Sequence, residues 1–164
     1  EHGFDYVFID CPPSLGLLTI NAMTAVDEVL IPIQCEYYAL EGVGQLLGNI
    51  GMIREHLNHN LHISGILLTM YDARTRLAAD VADEVRGQFG QVVLNNVIPR
   101  SVKVSEAPGY GQTVIDYDPG SRGALAYFDA AKELATRGDY QPHPTTGPIG
   151  VSPEVYNQLD SEED

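Results

Sequence analysis

The chain has 164 residues, 44% of them hydrophobic, which is enough to bury one sizeable core and makes a single domain the expectation. No apolar run approaches the ~20 residues that span a bilayer as a helix, and Glu1-His-Gly-Phe-Asp-Tyr6 has no basic stretch leading into an apolar one; a soluble, unexported protein is expected. The net charge of −14 argues against nucleic acid for the chain as a whole, but residues 139–164 hold six acids and no Lys or Arg, whereas 72–103 hold five of the nine bases against four acids.

In chain order, Tyr6-Val7-Phe8-Ile9 is a continuous apolar run closed by Asp10-Cys11-Pro12-Pro13, and it predicts a strand buried on both faces. A helix is expected over about 14–25, with Ser14 as its N-cap behind the Pro-Pro stop. The run 28–33 predicts a second strand, and Pro32 argues for a position near the strand's end. From 38 to about 57, Leu40, Val43, Leu46, Leu47, Ile50, Ile53 and Leu57 recur at spacings of three and four, which is one apolar helical stripe. Residues 63–70 read as a third strand, 77–89 as an amphipathic helix, and Val92-Val93-Leu94 with Val97-Ile98 as a short strand ending at Pro99. A last helix is expected over about 122–136.

Strands that alternate with helices imply parallel crossovers, so the fold class is α/β, a parallel sheet with helices on both faces. Beyond that, Pro142, Pro144, Pro148 and Pro153 with Gly147 and Gly150 predict a loosely ordered, Pro-rich acidic tail over 139–164, which leaves 1–138 as the folded domain. The first strand begins within a few residues of Glu1 and no Met opens the chain, as expected of a piece cut from something longer. Cys11 and Cys35 each adjoin an apolar run and read as small buried residues rather than a disulfide.

Asp10 closes a buried apolar run. That puts it at the carboxyl edge of a parallel sheet, where such folds bind ligands and a carboxylate can hold Mg²⁺ through its water shell. It fits equally well as a helix cap or the first residue of a turn. A metal-organising carboxylate works beside a G-x-x-x-x-G-K-[ST] loop, whose backbone N–H groups cradle phosphates. The two lysines, Lys103 and Lys132, lie in no glycine loop, so these residues alone are not expected to turn over ATP. His56, His59 and His62 recur every three residues but cross a helix end, where that spacing does not converge ligands on a metal.

Three strings taken together, Asp10-Cys-Pro-Pro-Ser-Leu-Gly16, Thr19-Ile-Asn-Ala-Met23 and Ile98-Pro-Arg-Ser-Val-Lys-Val-Ser-Glu-Ala-Pro108, resemble the ParA/Soj family of chromosome- and plasmid-partitioning ATPases, actinobacterial members most closely. The resemblance runs in register from residue 4 to about 137 and implies the carboxy-terminal part of a P-loop NTPase fold, without its N-terminal P-loop portion. It implies that Asp10 is the Walker-B residue organising Mg²⁺ and water, and that 11–16, ending at Gly16, is a switch that senses the γ-phosphate. Met70, Pro99 and Ser101 become the candidates beside the adenine of ATP, Ser101 standing where many members have Asn.

Arg74 and Lys103 match the basic residues through which members bind DNA without sequence preference, and Arg76, Arg86 and Arg100 could add to that surface. Tyr37, Tyr38 and Glu41 match the region of the ATP-dependent dimer interface, though ordinary helix-start packing explains them equally well. The implied whole is a cytoplasmic, nucleoid-associated homodimeric ATPase that acts with a ParB-type centromere-binding protein. Two other readings stand beside it: a non-catalytic DNA- or partner-binding module, and a MinD-like division-site ATPase. The Pro-rich acidic tail does not match the amphipathic membrane helix of the MinD group.

Overall fold

The computed structural model describes residues 5–12 and 16–137; the expected N-cap Ser14 and the expected tail over 139–164 lie outside them. Two parallel strands form the sheet, β1 (Glu28–Gln34) and β2 (His62–Thr69), joined by the long crossover helix α2 (Ala39–His56). Their register runs from Glu28 opposite His62 to Gln34 opposite Thr69, with one irregularity between Val29 and Leu30. The segment expected as a strand over 92–98 lies along the other side of β2 as a loosely paired ribbon. Leu94 N donates to Ile66 O at 2.8 Å, Ile98 N donates to Leu68 O at 2.8 Å, and parallel bridges join Ile66 to Val93 and Tyr71 to Pro99.

Pro32 sits inside β1, opposite Leu67, rather than at its end. Among the described residues β1 has a strand on one side only, so a missing N–H on the open side costs no ladder bond.

Alternation along the strands separates two cores. On one face Ile31 and Ile33 of β1 and Ile66 and Leu68 of β2 meet α1 (Leu17–Ala25), α2 and α3 (Arg76–Phe89). The stripe read from sequence supplies Val43, Leu47, Ile50 and Ile53 of α2, and α3 supplies Ala78, Val81, Ala82, Val85 and Phe89. On the other face Leu30, Leu67, Leu94 and Ile98 pack under α6 (Arg122–Arg137), through Ala126, Tyr127, Ala130 and Leu134. Helices therefore cover both faces of a parallel sheet, the fold class read from the sequence.

Gly65 is a point of close approach between β2 and its neighbours. A Cβ there would collide with Leu94 Cδ1 and lie 3.4 Å from Leu30 Cδ1, so a side chain at this position would force the Leu94 side chain to move. Asn58 ties the far end of the first layer together: its Nδ2 donates to Met23 O at 3.0 Å and Val26 O at 2.6 Å, closing the carboxyl end of α1.

The strand expected at 6–9 does not form. Residues 5–12 carry no regular element, and Tyr6, Val7 and Phe8 are 66–81% exposed. A continuous apolar run specifies burial without specifying a partner, and no strand lies beside this one among the described residues. Helix α1 begins at Leu17 behind an extended Gly16, three residues later than expected. The two cysteines are free, Cys35 buried and Cys11 half-buried.

Candidate functional site

The carboxyl end of β2 gathers most of the residues singled out by sequence. Met70 follows the last strand residue with φ +54°, a left-handed conformation that a non-glycine side chain adopts only when its surroundings impose it. The surroundings are two backbone hydrogen bonds: Tyr71 N donates to Ile98 O at 3.0 Å, and Arg100 N donates to Tyr71 O at 2.9 Å. They place Met70 and Pro99 on adjoining segments at one sheet edge.

Ser101 is the N-cap residue of a short helix, α4 (Val102–Glu106). It is held from behind by Gly123 of α6, where a Cβ would come within 2.6 Å of Val104 Cγ2 and 3.4 Å of Ser101 Oγ. The lack of a side chain at Gly123 thus fixes how closely α6 can support the Pro99–Ser101 segment.

Asp10 and Gly16 belong to other segments, Gly16 being the N-cap residue of α1. Asp10 is exposed on the irregular segment 5–12, and no hydrogen bond or ion pair among the described residues ties it to Met70, Pro99 or Ser101. The position inferred for it, the end of a paired buried strand, is therefore not formed. Tyr37 and Tyr38 are both 75% exposed and meet edge to face at 5.2 Å; the side chain of Glu41 lies outside the described residues.

Three of the five basic residues named from sequence, Arg74, Arg76 and Lys103, face a carboxylate, whereas Arg86 Nη2 donates to the backbone oxygen of Asn95 at 3.4 Å. Arg74 holds Asp72 with both sides of its fork, Nε to Oδ1 at 2.9 Å and Nη2 to Oδ2 at 2.8 Å, and its backbone N–H adds a third bond to Oδ1. Those bonds, helped by the nearby charge of Arg100, hold the Asp72 carboxyl down at about 2. Arg76 faces Asp80 at 3.8 Å, one helical turn away. Lys103 donates to Glu106 Oε2 at 3.3 Å and lies 5.4 Å from the centre of the Tyr117 ring; the same oxygen accepts from Tyr117 Oη at 3.2 Å. The hydrogen bond to Glu106 raises the Lys103 ammonium above its ordinary range.

Tyr117 belongs to a one-turn helix, α5 (Val114–Tyr117), and stacks on exposed Tyr110 at 5.1 Å. Sequence reading missed this corner, although Thr113-Val-Ile-Asp116 carries a usable signal. Thr113 Oγ1 accepts from Asp116 N at 3.2 Å, an N-cap bond, and donates to Asp116 Oδ2 at 2.7 Å. Asp72 and Glu106 were missed as well; their signal is proximity, two residues from Arg74 and three from Lys103.

The three histidines do not converge. His59 Nδ1 lies 2.8 Å from Arg54 O, His62 faces Glu28 at 3.8 Å, and His56 faces Glu55 at 4.0 Å. Among the described residues no cluster of three or more His, Cys, Asp or Glu is arranged to hold a metal ion, and no helix is long and apolar enough to cross a membrane.

The architecture is that of the P-loop NTPase-like α/β proteins. The cobyrinic acid a,c-diamide synthase of Mycobacterium smegmatis, solved with bound ADP and magnesium, superposes with a TM-score of 0.67 at 36% identity, over 88% of this chain and 52% of that one. The cell division ATPase MinD of Pyrococcus furiosus gives 0.64 at 28% identity, over 81% and 52%. A family model for an AAA domain matches residues 1–63.

In sequence the chain is 57% identical over 138 residues to the sporulation initiation inhibitor protein Soj of Bacillus subtilis, covering 84% of this chain and 54% of that protein. The chain is a homologue of the Soj/ParA chromosome-partitioning ATPases, and it spans about half the length of the curated relatives it matches.

Proposed function

We propose that the chain contributes the adenine-facing edge and the DNA-facing surface of a chromosome-partitioning ATPase. The observation that carries this reading is the strained Met70, bonded through Tyr71 to the Pro99–Ser101 segment, with Arg74 on the loop that follows Met70 and Lys103 on α4, which follows Ser101. Open parallel sheets bind ligands outside the carboxyl ends of their strands, which is where these residues lie. In this reading Met70 and Pro99 pack against the adenine of ATP, and Ser101 offers a hydroxyl beside it.

Asp10 organises Mg²⁺ through water, and the segment ending at Gly16 responds to the γ-phosphate. Mg²⁺ supplies charge neutralisation for phosphoryl transfer; this chain contributes one carboxylate toward it and no phosphate-cradling loop. Within a protein of the relatives' full length, ATP then drives homodimerisation, Arg74, Arg76, Arg100 and Lys103 hold DNA by its phosphates, and a ParB-type protein is the partner. The MinD-like alternative has the lower identity, 28% against 57%, and the tail bearing on it lies outside the described residues.

Phosphate contacts carry a steep salt dependence, the logarithm of the affinity falling with the logarithm of salt by roughly 0.9 per phosphate neutralised. Retention on duplex DNA of arbitrary sequence, measured at rising salt, should weaken for Arg74→Ala and for Lys103→Ala and become less salt-sensitive. Retention at low salt that is unchanged in both variants refutes the assignment.

A further inference from the structure

Two of the bases assigned to DNA, Arg74 and Lys103, are already held by carboxylates. Arg74 spends Nε and Nη2, one whole edge of its guanidinium, on Asp72. A fork engaged in this way cannot offer the same edge to a phosphate, which asks for the same two-point geometry. Lys103 is committed to Glu106, whose Oε2 is fixed in turn by Tyr117.

The two pairs follow segments that adjoin in the fold. The Tyr71–Arg100 backbone bond joins the strand end before Asp72 to the segment that leads into α4, and the charge of Arg100 acts on Asp72. Arg74, Arg100 and Lys103 bring three positive charges there, and Asp72 and Glu106 cancel two of them.

We infer that Asp72 and Glu106 are built-in counterions, carboxylates that phosphate must displace, and that they set the affinity and the salt dependence of DNA binding at this surface. The inference rests on the DNA-binding reading above. It makes weak, readily reversed attachment a property of the folded chain: Arg74 and Lys103 are held in place for phosphate while a carboxylate already answers each charge. Arg76, whose partner Asp80 lies at 3.8 Å with both side chains well exposed, is less restrained than Arg74 or Lys103.

The test uses the whole 164-residue chain and a short fluorescent DNA duplex of arbitrary sequence, titrated at several salt concentrations. Asp72→Asn and Glu106→Gln keep an acceptor oxygen and remove the charge, so each should tighten binding at low salt by about threefold to fivefold, the effect of one carboxylate lost at ~5 Å in a water-like dielectric. Each should also steepen the logarithmic salt slope by up to about 0.9, since one more phosphate is neutralised net. A purely structural role for these acids does not move that slope.

Arg74→Ala and Lys103→Ala run beside them. If these weaken binding while the two neutralised variants bind as the parent does, the counterion inference is overturned and the DNA reading stands. If neither alanine variant changes binding, both fall. Should Asp72→Asn lower the melting temperature, because Asp72 also accepts the Arg74 backbone N–H, Glu106→Gln decides alone.

Discussion

Replacing Glu133 with alanine should be among the most damaging single changes available outside the apolar core. Glu133 lies on α6 with its side chain 12% exposed, and its two oxygens accept from Asn95 N at 2.8 Å, Asn95 Nδ2 at 3.0 Å, Asn96 N at 3.0 Å and Asn96 Nδ2 at 2.8 Å. It also meets Arg137 at 2.6 Å, and that guanidinium donates in turn to the carbonyls of Gln91, Val92 and Val93. One carboxylate thereby fastens α6 to the ribbon beside β2.

Breaking a fully buried charge pair costs ~3–5 kcal/mol, and partial access to water here lowers that to roughly 2–3 kcal/mol. For a chain of this size the loss corresponds to a fall of roughly 5–10 °C in melting temperature, read by circular dichroism at neutral pH. Desolvation pushes the Glu133 carboxyl upward, but the bonds from Asn95 and Asn96 and the charge of Arg137 outweigh it, so its folded value lies below the ordinary 4.5. The stabilisation is therefore complete above 4.5 and is lost as pH falls through the lower folded value, so the gap between parent and variant should close in acid. A variant that melts within about a degree of the parent at neutral pH refutes the assignment of this network as the clamp.

Gly65→Val should lower stability by about 1–3 kcal/mol, because its side chain would displace Leu94 and Leu30 in a filled core, and chemical denaturation measures this directly. Asn58→Ala removes both donors from the end of α1 and should cost about 1–2 kcal/mol; hydrogen exchange should then speed up at the last turn of α1 before other sites. The Asp72 carboxyl should titrate at about 2 in an NMR pH series, its contribution to stability present above the ordinary 3.8 and lost as pH falls from there to about 2. Arg74→Ala should return that carboxyl toward 3.8.

The regular elements were legible because burial leaves a periodic mark on them. The stripe at 43, 47, 50 and 53 and the apolar runs in β1 and β2 each report a face that meets another layer. Tyr6–Ile9 shows the limit of that signal, since its run is as apolar as β2 yet finds no strand among the described residues. At the candidate site Met70, Pro99 and Ser101 were found through family strings, and the structure adds the strain at Met70, which no residue preference announces.

The clamp at Glu133 joins residues 38 apart in the chain, and local spacing carries no trace of such a contact. Asp72 and Glu106 carry only the signal of proximity in the sequence: phosphate contacts call for Lys and Arg, whereas their pairing with acids is settled by geometry. The short helices between 102 and 117 were missed because Pro108, Gly109 and Gly111 interrupt any period, leaving the Thr113–Asp116 cap as the one local cue.

The central claim is that these residues carry an adenine-facing edge and a DNA-facing surface but not a complete phosphate site. Calorimetric titration of the chain with Mg²⁺-ATP, beside Asp10→Ala, tests it most directly. The account predicts no saturable heat that separates the two proteins; saturable binding abolished by Asp10→Ala would contradict it, because it would require a phosphate-holding group among residues that contain no such loop.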